Sequence, residues 1–140
     1  MILSTSNELI DVFVKSQGIQ ALEGNLFFQN DKNTIQQTLW ALSNIGAGTD
    51  THIQSLISNN QVICKLMSMM ESFYHSISRE STIVITNMIV SAIDKEIIYN
   101  LLVQNEFKMF KILVYLLKIN DNVLLKELLS SMNVIFKLDY

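Results

Sequence analysis

A chain of 140 residues with a net charge of −3, no proline, four glycines and 49% hydrophobic residues has the make-up of one helical domain joined by short polar turns. That composition excludes an all-β chain, which needs more turn punctuation, and a duplex-DNA binder, which needs a basic stripe. The single Cys64 excludes an intramolecular disulfide framework and suits a reducing compartment.

The opening MILSTSNELID lacks the basic stretch and apolar core of a secretory signal. No apolar run approaches the roughly 18 residues of a membrane span. The strongest candidates, TIVITNMIVSAI and MFKILVYLLKI, are broken by Asn, Ser or Lys. A soluble intracellular helical protein is the expectation.

In chain order, NELIDVFVKSQ, GIQALEGNLFFQN and NTIQQTLWALSNIGA read as three helices. DTHIQSLISNN, QVICKLMSMMES and ISRESTIVITNMIVSAI follow as three more. DKEIIYNLLVQN, EFKMFKILVYLLKIN and DNVLLKELLSSMNVIFKL complete a third set. Asp50 with Thr51, Asp94 and Asp121 are the expected N-caps, because a side-chain oxygen there accepts a free backbone N–H. Asn59-Asn60, Gln104-Asn105 and Asn120-Asp121 mark breaks.

The three sets are copies of one unit. A shift of 44 places Leu9 on Ile53 and Ile97, and Phe13 on Ile57 and Leu101. It also places Ile19 on Ile63 and Phe107, Leu22 on Leu66 and Phe110, and Leu26 on Met70 and Val114. Asn44, Asn87 and Asn133 recur at spacings of 43 and 46, with the drift assigned to a polar turn, where insertions cost little. Three helices in roughly 40–47 residues is the armadillo/HEAT period. The expected fold class is all-α, an armadillo-type solenoid of about three repeats near 6–48, 49–92 and 93–138 in a single domain spanning 1–140. A compact bundle is the alternative.

At TLWALSNIGAGTDTHIQSLISNN the chain resembles the armadillo repeats of importin-α, the adaptor family for nuclear localisation signals. The likeness runs along nearly the whole chain in period and is sharp between about Gln36 and Leu66. It implies a right-handed superhelix whose third helices line a concave peptide groove.

Chemistry independent of the family supports such a groove. Trp40 and Asn44 lie one helical turn apart on one face. An asparagine amide matches the N–H and C=O of an extended peptide. A tryptophan face beside it attracts a Lys or Arg cation, worth roughly 0.5–2 kcal/mol.

Three rungs follow: Gln37, Trp40, Asn44, Gly48; then Glu80, Ile83, Asn87, Ser91; then Lys126, Leu129, Asn133, Lys137. Gln37, Trp40, Asn44, Gly48, Glu80, Asn87 and Asn133 are the candidate peptide-binding residues. Only the first rung keeps the full set. Glu80 offers a carboxylate to a basic side chain, and the third rung would repel one. Each has a structural alternative: core packing for Trp40, and a bond to a neighbouring repeat's backbone for Asn87 and Asn133.

The resemblance implies a basic localisation-signal peptide of a cargo protein as partner, shuttling between cytoplasm and nucleus, and makes the nuclear export receptor a candidate partner. Importin-β is not expected, because no basic segment precedes the first helix. Neither nucleic acid nor membrane is expected as partner. No cofactor, metal site or enzymatic activity is expected, since phosphate loops, HExxH, GxSxG and paired acid–base sets are all missing from the sequence.

Cys64, between Ile63 and Leu66, is expected to be a core thiol, Met67, Met69 and Met70 to be core packing, and His52 and His75 to lie in turns. The apolar first and last helices suggest ends buried against something, either as a C-terminal piece of a longer receptor or in an oligomer. The competing functions are a generic armadillo interaction scaffold and a purely structural helical cap.

Overall fold

The computed structural model describes residues 5–139. Residues 1–4, part of the opening stretch screened above for a leader, and Tyr140 lie outside them. Among the described residues there are nine helices and no strand. They run α1 (Thr5–Lys15), α2 (Gly18–Phe28), α3 (Lys32–Gly46), α4 (Asp50–Ile57), α5 (Asn60–Met70), α6 (His75–Ser91), α7 (Glu96–Gln104), α8 (Lys108–Leu116) and α9 (Asn122–Ile135). No helix is long and apolar enough to cross a membrane.

Local chemistry fixes where the helices begin. Asp31 accepts the Thr34 N–H at 3.0 Å and caps α3, and Asp121 accepts the Leu124 N–H at 3.1 Å and caps α9. Asn59 does the same for α5 through the Val62 N–H. Two expected caps are displaced. Thr49, not Asp50 or Thr51, caps α4 through a reciprocal capping box with His52. Asp50 instead accepts the N–H groups of Ile93 and Asp94, at 2.8 and 3.0 Å, in the loop before α7. Lys95 holds the N-cap position of α7, and Asp94 accepts the Glu96 N–H from outside it.

The short turns before α2 and α8 use left-handed residues, Gln17 at φ 64°, Glu106 at 55° and Phe107 at 61°. These turns locate the drift in the repeat. The α4–α5 connection is Ser58-Asn59, whereas the α7–α8 connection is Asn105-Glu106-Phe107, and α7 is also one residue longer than α4. The true counterparts of Ile63, Leu66 and Met70 are therefore Met109, Ile112 and Leu116, all buried. Phe107 and Val114, placed in the core columns by the uniform shift of 44, are exposed, and Phe110 is only partly buried. In the first unit Leu9 and Phe13 are also exposed, Leu9 at 65%, because α1, at the end of the stack, packs mainly against α2 and α4.

The core runs through all three units as one cluster, with Leu39, Leu42, Ile53, Leu66, Ile85, Leu101 and Leu128 fully enclosed. Each such side chain contributes about 1.5–3 kcal/mol relative to exposure. Met67, Met69 and Met70 are buried, as their spacing requires.

The third helices α3, α6 and α9 pack in that order, with α6 between the other two. A middle helix has apolar neighbours on both flanks, so it cannot be amphipathic in the ordinary sense. The chain meets this with small hydroxyl residues whose donors stay inside the helix. Ser81 donates to Ile77 O at 2.7 Å, Thr82 to Ser78 O at 2.7 Å and Thr86 to Ile83 O at 3.2 Å. Gly46 completes the close approach: a Cβ there would lie 3.0 Å from Met88 Cγ and 3.2 Å from the Val84 carbonyl.

Two predictions follow from this packing. Gly46→Val should cost about 1–3 kcal/mol by overpacking, read from urea unfolding, while Gly24→Ala, with nothing near its Cβ, should gain about 0.5–1 kcal/mol. An unchanged midpoint for Gly46→Val would contradict the close approach.

The second concerns acid. The Leu124 N–H holds the Asp121 carboxyl below the ordinary aspartate value of 3.8, against a desolvation that raises it, and His75 and Arg79 add to the lowering. A depressed carboxyl contributes stability above its unfolded value and loses it as pH falls through the folded one. Asp121→Asn, which keeps a capping oxygen, should be less stable than the parent near neutrality. The two unfolding midpoints should converge as the pH drops below 3.8.

Candidate peptide-binding face

Helices α3, α6 and α9 pack side by side, and the candidate residues on them divide by whether they have internal partners. Trp40 is 42% exposed, and Gln37 and Asn44 beside it on α3 are exposed as well. The Asp31 cap that starts α3, with its carboxyl lowered chiefly by the Thr34 hydroxyl and N–H, sets the register that points Gln37, Trp40 and Asn44 outward together. Leu39, Leu42 and Ile45 fill the opposite side of that helix.

Asn87 behaves differently. Its Nδ2 donates to the Ser43 carbonyl at 3.1 Å, joining α6 to α3 across the interface. One of the two amide N–H donors is thereby engaged, which leaves the oxygen and the second N–H. Asn133 on α9 is exposed. The three asparagines therefore share a position without sharing a bonding state.

Gly48 lies past the end of α3. A Cβ there would lie 2.4 Å from His52 Nδ1, so the position is bare to admit the histidine ring. His52 belongs to α4 rather than to a turn and is 1% exposed. Its Nδ1 accepts the Thr49 N–H at 3.2 Å, which leaves the proton on Nε2 to donate to Asp11 Oδ1 at 2.5 Å on α1. His75, the first residue of α6, also sits outside a turn and meets Asp121 Oδ2 at 3.0 Å. The two histidines hold neighbouring units together. Sequence reasoning missed both roles, because their carboxylate partners lie 41 and 46 residues away.

The electrostatics of the face follow from which charges have partners. Glu80 on α6 stands seven residues before Asn87, as Gln37 stands before Asn44 and Lys126 before Asn133. It is half-buried and makes no hydrogen bond or ion pair with any described residue. Ile83 is half-buried and Leu129 exposed where α3 carries Trp40.

Cys64 departs from expectation. The buried side of α5 is Val62, Ile63, Leu66, Met67, Met69 and Met70, which turns Cys64 outward with Gln61 and Ser68. It lines a cleft of about 460 Å³ with Phe27, Asn60 and Lys65. A larger cleft of about 530 Å³, between Glu23 and Asn59 and their neighbours, takes no residue from α3, α6 or α9. The Asn59 amide donates to Glu23 across that cleft at 2.9 Å.

Solved structures similar to this chain include designed armadillo repeat proteins. One, in complex with peptide (KR)4, matches with a TM-score of 0.76 at 21% identity, over 91% of this chain and 51% of that one. Computationally designed armadillo repeat proteins for modular peptide recognition give 0.79 at 22%, over 92% and 51%. Another designed armadillo repeat protein gives 0.79 at 23%, over 94% and 52%. The fold is thus an all-α, armadillo-type solenoid of about three repeats, and the chain spans about half the length of these structures. No protein-family model and no curated protein matches the chain.

The outward turn of Cys64 is checked by thiol labelling. A maleimide should modify it fully in native buffer, with denaturant accelerating the reaction less than about tenfold. A core thiol would wait for global opening and react slower by orders of magnitude.

Proposed function

We propose that the face of α3, α6 and α9 holds an extended segment of a partner protein, as a binding scaffold without catalytic chemistry. The observation that carries this reading is Trp40 with Asn44. The two stand one turn apart and exposed on the helix that starts the ladder, whereas Gly46 and Gly48 of the same segment serve the packing. An exposed tryptophan costs hydration unless something covers it. An unpaired amide beside it supplies the donor and acceptor that a peptide backbone needs. Designed proteins of the same fold that were made for peptide recognition add support by analogy.

A finer reading is favoured by the same corner. Trp40 can take the stem and charge of a Lys or Arg, and Glu80, without a partner among the described residues, stands on the next helix. On that reading the chain is an adaptor for basic localisation-signal peptides, working between cytoplasm and nucleus. Leu129 in the aromatic position of α9, with Lys126 and Lys137 around Asn133, weighs against a basic peptide running along the whole face.

Fluorescence anisotropy with a labelled basic peptide tests both levels. Trp40→Ala with Asn44→Ala should weaken binding at least about threefold, with circular dichroism unchanged because both side chains are exposed. Full affinity in that double variant places binding elsewhere. Equal affinity for an uncharged extended peptide leaves the scaffold and removes the localisation signal.

A further inference from the structure

The charge along the face changes sign from one helix to the next. At the position seven residues before each asparagine stand Gln37, Glu80 and Lys126; at the position four residues after stand Gly48, Ser91 and Lys137. Two other cations on or beside these helices are already engaged. The Arg79 guanidinium pairs with Asp121 at 3.5 Å, and the Lys95 ammonium donates to the carbonyls of Ile89, Val90 and Ala92 at the end of α6. Lys126 and Lys137 are exposed and have no partner among the described residues. Lys137 lies in the turn that follows α9, where its backbone N–H donates to the Val134 carbonyl at 3.1 Å.

We infer that the segment this face takes is of mixed charge: basic residues over Trp40 and Glu80, followed by acidic residues against Lys126 and Lys137. This rests on the peptide-binding reading above and deepens it. A wholly basic segment gains at α3 and α6 and is opposed at α9, where two like charges meet it. An acidic end converts that opposition into attraction without changing any contact at α3. Geometry sets the spacing. Packed helices stand about 8–10 Å apart and an extended chain advances about 3.3 Å per residue, so the last basic and first acidic residues fall about three positions apart.

The test uses three labelled octapeptides on the whole chain: all-basic (KR)4, KRKRGSDD, and the reverse order DDSGRKRK. The expected result is that one of the mixed peptides binds about fivefold tighter than (KR)4, a gap that collapses at about 1 M salt, where screening acts within about 3 Å. In Lys126→Glu with Lys137→Glu, two exposed substitutions, the ranking should reverse and (KR)4 should bind best. If (KR)4 binds the parent as tightly as both mixed peptides, or the double variant leaves the ranking unchanged, the charge pattern is overturned while peptide binding stands. If none of the three binds, the peptide-binding reading falls and takes this inference with it.

Discussion

The close approach of α6 to α3 is the constraint on which the other features depend. Two helices approach closely only where their contact surfaces are small, and here Gly46 lets α3 come against Met88 and the Val84 carbonyl of α6, a helix whose buried residues include the small Ser81, Thr82 and Thr86. The hydroxyls bond carbonyls within their own helix, so burying them leaves no orphaned donor there. The Asn87 amide then crosses the joint to the Ser43 carbonyl. A run of Leu or Ile in α6 would bury more apolar area and hold the axes farther apart, dividing the face into separate ridges.

Around that joint the units are tied by polar contacts, each in a different layer. Asp11 meets His52 between first helices, Glu23 meets Asn59 between second helices, and Asp121 gathers His75 and Arg79 between third helices. Asp50 reaches forward to the backbone of the next connection. In a stacked repeat each unit meets only its neighbours, so stability is a sum of units and joints, and such contacts fix the register of each joint. They also sort the conspicuous WALSNIGAGT segment by role. Gly46 serves α6 and Gly48 serves His52, whereas Trp40 and Asn44 point away from the core, which is why the functional reading narrows to them.

Much of the fold was legible because helix periodicity is local. The nine helices, the buried methionines and the cap at Asp121 all follow from residues within a turn or two of each other. The misplaced core positions of α8 came from a uniform repeat imposed on a chain that is not uniform. One extra residue in α7 and one in the turn at Asn105-Glu106-Phe107 rotate α8, so that Phe107 and Val114 leave the core and Met109 and Leu116 enter it. Cys64 failed for a different reason. Flanking apolar residues one and two positions away lie about 100–200° around the helix, so sequence adjacency says little about burial.

By itself the sequence determined the helical class, the threefold repeat and the row of asparagines, since each is written in spacing and residue type. Only the tertiary structure decided what each asparagine does. Asn44 and Asn133 are exposed, whereas Asn87 is bonded across a helix joint, and that difference depends on a carbonyl 44 residues away. The same holds for His52 and Gly48, whose meaning comes from a ring and a carboxylate brought together by packing. Spacing along a chain fixes which face a residue is on; the neighbour across that face comes from a different part of the chain, and no local pattern encodes it.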